Sequence, residues 1–136
     1  MEYNDKKKLT PEILALSLFI GIGHNIFVQN NVYYLIPKLD MLMHTLGGVL
    51  IGLIFLKVFF VGKRFTYAQL HRGVVIWTTL IAVFIIGFGW EIFEYGVGLT
   101  PLSKLATLDT ASDIMFDIAG ALIAVWWYFK RIWKVG

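Results

Sequence analysis

Residues 41–61 read MLMHTLGGVLIGLIFLKVFFV, and His44 and Lys57 are the only ionisable side chains among them. Crossing the hydrocarbon core of a bilayer takes about 20 apolar residues in a helix. This run therefore reads as a transmembrane helix with a histidine near its start. Working outward, three more stretches have the same character, at about 12–29, 74–95 and 111–129. Four spans of about 20 residues explain the composition, which is 58% hydrophobic and 15% charged over 136 residues. A soluble domain has about 45–50% apolar and about 25% charged residues. The expected fold is all-α: a single integral membrane domain, 1–136, built as a bundle of four transmembrane helices.

The same numbers exclude several function classes. A chain this apolar is no disordered tail, and it lacks the basic surface of a soluble nucleic-acid binder. It contains no cysteine, so disulfides, thiolate metal sites, iron–sulfur clusters and Cys nucleophiles are absent. There is no internal repeat and no low-complexity stretch.

Helix-end signals accompany the four stretches. Thr10-Pro11-Glu12 offers a capping hydroxyl, a proline for the first turn and an early acid. Thr110 or Ser112 is placed to cap the fourth helix. Trp126, Trp127, Tyr128 and Trp133 read as an interfacial aromatic belt, with Tyr33, Tyr34 and Tyr95 serving the other surface. Thr100-Pro101 is placed to start a short interfacial turn. Lys6-Lys7-Lys8 ahead of the first stretch looks like the start of a signal peptide, but residues 24–31 offer no small-x-small cleavage site, so an uncleaved helix is expected.

The charges set the expected direction. Lys6–Lys8, Lys57, Lys63, Arg64, Arg72, Lys130, Arg131 and Lys134 fall at one end of the bundle, and only Lys38 and Lys104 at the other. The positive-inside rule then puts both termini in the cytoplasm of a plasma (inner) membrane protein. Glu2, Asp5 and Glu12 share that inner side. Asp40, Glu91, Glu94, Asp109, Asp113 and Asp117 all fall at the outer end, facing the outside or periplasm. The small net charge of +3 thus hides an inner balance of +7 and an outer balance of −4.

The outer acids are spaced for helix faces. Asp40 and His44 stand at i,i+4, Glu91 and Glu94 at i,i+3, and Asp109, Asp113 and Asp117 at i,i+4,i+8. Acids in a membrane helix nearly always face the bundle interior or a wet cavity. Gly21, Gly47, Gly48, Gly52, Gly87 and Gly120 lie on the same faces and allow close helix approach. Simpler readings exist for several of these residues. Asp40 can cap its helix, Asp113 can sit in a favourable first turn, and Asp109 reads as a solvated loop acid. Lys57 reads as snorkelling to the inner surface. His24 and Asn25 support the layer or simply hydrogen-bond between helices.

Glu91, Glu94 and Asp117 resist such readings. The first two end a helix, where the macrodipole disfavours negative charge. Asp117 lies a full turn deeper than Asp113, and no Lys or Arg shares these faces. A divalent cation, or bound protons, neutralises such a cluster most simply. Asp40, His44, Glu91, Glu94, Asp113 and Asp117 are the expected metal ligands, with His24, Asn25 and Asp109 in support. Oxygen ligands with one histidine suit Mg, Mn, Ca, Fe or Zn.

Asp40-x-x-x-His44-x-x-Gly47-Gly48, Trp90-Glu91-x-x-Glu94-Tyr95 and Asp109-x-x-x-Asp113-x-x-x-Asp117-x-x-Gly120 together resemble the VanZ-like membrane proteins, and within them the YjdF-like branch. Many VanZ-like chains carry Glu-x-x-Gln where this one has Glu91 and Glu94, and Asn where it has Asp117. Those departures favour the YjdF-like branch. The resemblance implies a small polytopic plasma-membrane protein and supports the acid–histidine constellation as its site, without naming a reaction.

Three functions follow as expectations. The first is a metal-dependent membrane hydrolase acting on a lipid or lipid-linked envelope substrate, with Glu94 or Glu91 as general base. The second is a cation or proton transporter. The third is a non-catalytic interaction protein held together by a polar network. The lipid bilayer is the expected partner in each, and nucleic acid in none.

Overall fold

A computed structural model describes residues 9–30, 32–36, 38–61, 71–97 and 104–133, with the backbone alone at 33, 34 and 104–107. Glu2, Asp5, Lys6–Lys8, Pro37, Lys63, Arg64, Thr100-Pro101 and Lys134 lie outside the described residues, as do the side chains of Tyr33, Tyr34 and Lys104. The elements are α1 (Thr10–Gln29), a short α2 (Val32–Leu35), α3 (Lys38–Leu56) continued by a π-helical turn (Lys57–Val61), α4 (Arg72–Gly96) and α5 (Lys104–Arg131). No strand occurs among the described residues. The four long helices form the expected all-α bundle. Thr10–Gln29, Lys38–Val61 and Arg72–Gly96 are each long and apolar enough to cross a membrane.

The fourth long helix, α5, is the hub of the packing. It runs along α3 and α4, while α1 leans chiefly on α3. Small residues make the α3–α5 crossing close. A Cβ added at Gly120 would stand 2.7 Å from the Val49 nitrogen, and one at Gly52 would stand 2.8 Å from the Ala124 Cβ. Below the crossing, Leu53, Leu56, Phe60, Val75, Val83, Ala124 and Tyr128 form a tightly buried apolar core. By contrast, α1 buries no residue. Its Leu14, Leu18, Phe19 and Ile22 are exposed, as suits a helix whose outer face meets acyl chains.

Several helix ends differ from the sequence reading. Thr10 does not cap α1. The N-cap is Leu9, in the left-handed region at φ 64°, and no side chain caps the helix. Thr10 Oγ1 instead accepts a hydrogen bond from Lys57 Nζ, so Lys57 ties the end of α3 to the start of α1 rather than only snorkelling outward. Pro11 does occupy the first turn, where its missing N–H costs nothing.

The fourth helix starts at Lys104, not near 111. Residues 104–110 contain good helix formers and no Gly or Pro, so the capping preference of Thr110 and Ser112 is overridden and both lie inside the helix. Asp109 is therefore an exposed helical residue rather than a loop acid, and Asp113 is well beyond the first turn. Similarly, α3 starts at Lys38, which puts Asp40 in its first turn rather than at its cap.

The basic end carries the aromatic belt. Arg131 Cζ stands 4.9 Å from the Trp127 ring centroid, and Lys130 Nζ stands 4.9 Å from that of Trp126. Arg72 Cζ lies 5.5 Å from the Phe129 ring, and Glu12 Oε1 lies 3.9 Å from Arg131 Nη2.

Candidate functional site

His44 is one turn beyond Asp40 on α3, and its ring is directed at α5. Nδ1 stands 3.3 Å from Asp117 Oδ1, and Nε2 stands 3.9 Å from Asp113 Oδ2. The i,i+4 spacing of the two aspartates lets one imidazole span both. His44, Asp113 and Asp117 are all largely enclosed, with side chains 11%, 7% and 7% exposed. Asp40, His44 and Asp113 each offer one ligand atom such that all three atoms lie within 4.8 Å of one another. With Nδ1 engaged by Asp117, Nε2 is the nitrogen left for an ion. A ligating histidine commonly has a carboxylate on its other nitrogen in this way.

Asp117 is held by glycines. A Cβ on Gly48 would collide with the Asp117 backbone, at 2.9 Å from its Cα, and a Cβ on Gly87 would collide with its carboxylate. Three helices thus converge on Asp117, which lies about 20 Å along α5 from Lys104. Glu91, on the same face of α4 as Gly87, is buried at 5% exposure, and its Oε1 has no hydrogen-bond partner. A buried carboxylate oxygen without a donor is costly, and a cation is the kind of partner it lacks.

Beside this layer is a cavity of about 660 Å³. Ile20, Gly21 and His24 of α1 form one wall, and Asp40, Met43, His44, Gly47 and Ile51 of α3 form the next. Ile86, Gly87, Gly89, Trp90, Phe93 and Glu94 of α4 form the third, and Asp117 closes it. Gly21, Gly47 and Gly89 have no foreign atom within 4 Å of where a Cβ would stand. These glycines serve to leave space, whereas Gly48, Gly87 and Gly120 serve close contact.

The family model described as "Predicted membrane protein (DUF2238)" matches residues 1–134. The chain belongs to this family. No curated protein and no solved structure matches it. Membership of DUF2238 agrees with the membrane-spanning helices and assigns no reaction to the acids.

In this DUF2238 chain the structure brings Asp40, His44, Asp113 and Asp117 into direct proximity and adds His24 and Glu94 through the cavity wall. Glu91 is buried in α4 but is not part of the wall. Asn25 is not brought in: its Oδ1 accepts a hydrogen bond from Gln29 Nε2 on the exposed face of α1. Asp109 is exposed and contributes none of the three clustered ligand atoms. Phe93 does not figure in the sequence reading and Trp90 figures only within the family-like motif, yet both line the α4 wall. The i,i+4 spacing of Trp90 and Glu94 was the available signal, since it places the indole on the face of that acid.

Proposed function

We propose that this chain is a divalent-cation-binding membrane protein that acts on the polar head of an amphiphile. The observation that carries the reading is the clustering of Asp40, His44 and Asp113 ligand atoms within 4.8 Å, next to a cavity large enough for a small molecule. Asp40, His44 and Asp113 would hold the ion, and Asp117 would orient the His44 imidazole. This oxygen-rich set with one imidazole suits Mg, Mn or Zn. The orphaned Glu91 Oε1 nearby fits a layer that lacks a positive partner. Such an ion supplies Lewis-acid polarisation of a phosphoryl or carbonyl oxygen. Glu94, half-buried in the cavity wall, is the carboxylate placed to take a proton from water.

The same reading puts the chain in the plasma membrane with both termini inside and the site outside, on the strength of the positive-inside distribution. The finer likeness to VanZ-like and YjdF-like proteins rests on the motif residues around Asp40, Glu91 and Asp113. Metal analysis of the purified full chain, with and without refilling, tests the reading. About one equivalent of divalent metal is expected, lost in His44→Ala and Asp113→Asn. No metal in the refilled wild type, together with no thermal shift on adding Mn or Zn, would sink it.

A second reading, a non-catalytic polar network, is favoured by one observation: the His44–Asp117 contact joins α3 to α5 at their glycine crossing. On that reading bundle stability, rather than any turnover, follows the acids. Transport receives no such support. The inner half is filled by Leu53, Leu56, Val75, Val83 and Tyr128, and the buried Thr79 hydroxyl is already donating to the Val75 carbonyl.

A further inference from the structure

We infer that the cavity receives the ammonium head group of a membrane lipid. This deepens the reading of the same site as one for an amphiphile, but it rests on the cavity and not on the metal. Asp40, Glu94 and Asp117 all contribute to the lining, and no Lys or Arg does. A volume of about 660 Å³ is far more than an ion needs and lies within the range of about 300–1,000 Å³ typical of small-molecule sites. An anionic head group alone would meet three carboxylates in the wall. A neutral one would leave Glu94 with no Lys or Arg in the lining to face it, whereas Asp117 has His44 at 3.3 Å.

The aromatic wall points to the same chemistry. Trp90 and Phe93 both line the cavity, their ring centroids lie 5.5 Å apart, and each residue is about half exposed. Aromatic faces beside carboxylates are how proteins hold ammonium groups, through attraction to the ring quadrupole. A divalent ion at Asp40, His44 and Asp113 would leave Glu94 outside its ligand set, so the preference for a cationic head holds with or without the ion.

The route of entry favours a lipid over a soluble amine. The cavity lies between α1 and α4, and α1 leans on α3 instead, burying none of its own residues. Gly21 on one side and Gly89 on the other have open space where a Cβ would stand. Ile20, Ile51 and Ile86 continue the wall with apolar surface suited to the first methylenes of a chain.

The test titrates the full chain in neutral-detergent micelles with octyltrimethylammonium, read by tryptophan fluorescence and by the thermal midpoint. The comparators are octyl sulfate, octanol and tetramethylammonium. Octyltrimethylammonium should bind at least about tenfold tighter than each, consistent with a desolvated cation–aromatic contact. Glu94→Gln and Trp90→Leu should each weaken it about tenfold, while Trp126→Leu, outside the cavity, should not. Equal binding of octanol or octyl sulfate overturns the cationic preference. Equal binding of tetramethylammonium overturns the lipid. Unchanged affinity in folded Glu94→Gln and Trp90→Leu overturns the site. Repeating the titration in chelator separates the two proposals. If chelator abolishes binding, the ion holds the ligand and this inference fails alone. If binding persists in a protein that takes up no metal, the cation reading fails alone.

Discussion

His44 Nδ1 stands 3.3 Å from Asp117 Oδ1, joining the second turn of α3 to the middle of α5. The same imidazole faces Asp113 through its other nitrogen at 3.9 Å. One side chain thus makes an interhelical tie and belongs to the three-residue cluster of candidate ligands. The two roles can be separated by experiment.

Asp117→Asn keeps an oxygen acceptor for His44 but removes the charge. The variant should fold with a midpoint close to wild type, because interhelical hydrogen bonds in membrane proteins contribute only about 0.6 kcal/mol on average. Its divalent-cation affinity should drop about 10–100-fold, as when other carboxylates behind a ligating histidine are removed. Competition against a fluorescent chelator measures this. An unchanged affinity would show that Asp117 has no part in orienting the ligand.

Gly48→Ala should destabilise the bundle by about 1–3 kcal/mol, the usual cost of overpacking. The added methyl has only the Asp117 backbone to push against, at 2.9 Å from Cα, and backbone cannot rotate away. Gly47→Ala, one residue earlier and facing open space, should leave the unfolding midpoint unchanged or slightly raised. Reversible unfolding in mixed micelles compares the pair. Equal effects at both positions would contradict the close α3–α5 crossing.

Glu91→Gln should raise the thermal midpoint of the metal-free protein. Its carboxylate is buried and Oε1 has no donor, and a neutral amide removes the cost of a buried charge. The same variant should gain less than wild type when Mn or Zn is added. A metal-free Glu91→Gln protein less stable than wild type would mean that Glu91 already has a stabilising partner.

Proteoliposomes containing the chain should show no cation or proton flux above empty vesicles. Phe60, Val75, Val83 and Tyr128 pack without exposed surface to speak of beneath the acid layer, and a transported ion would have to cross that apolar core. A saturable flux that Asp113→Asn abolishes would return transport to first place.

The shared helix faces of the candidate cluster were legible in the helical spacing. Asp40 with His44, and Asp113 with Asp117, were placed on common faces by the i,i+4 rule alone, and the glycines were recognised as contact residues. The rule could not say which glycines touch and which leave a void: Gly47 and Gly48 are neighbours with opposite roles. Nor could it keep Asn25 out, since a residue next to His24 lies about 100° round the helix and its facing depends on how α1 is rotated. The capping readings of Thr10, Asp40 and Ser112 failed for a different reason. Capping preferences are worth about 1 kcal/mol, and continuing a helix into packed or lipid surroundings outweighs them.

The sequence by itself determined the membrane class, the four long helices and the separation of basic from acidic ends, because these follow from local hydropathy and charge. Only the tertiary structure decided that His44 spans Asp113 and Asp117, that Glu91 is buried with an unpartnered oxygen, and that a cavity walled by Trp90 and Phe93 lies beside them. Those relationships depend on the rotation and crossing depth of each helix. Both are set by how closely the glycines let the backbones approach, and hydropathy does not encode that.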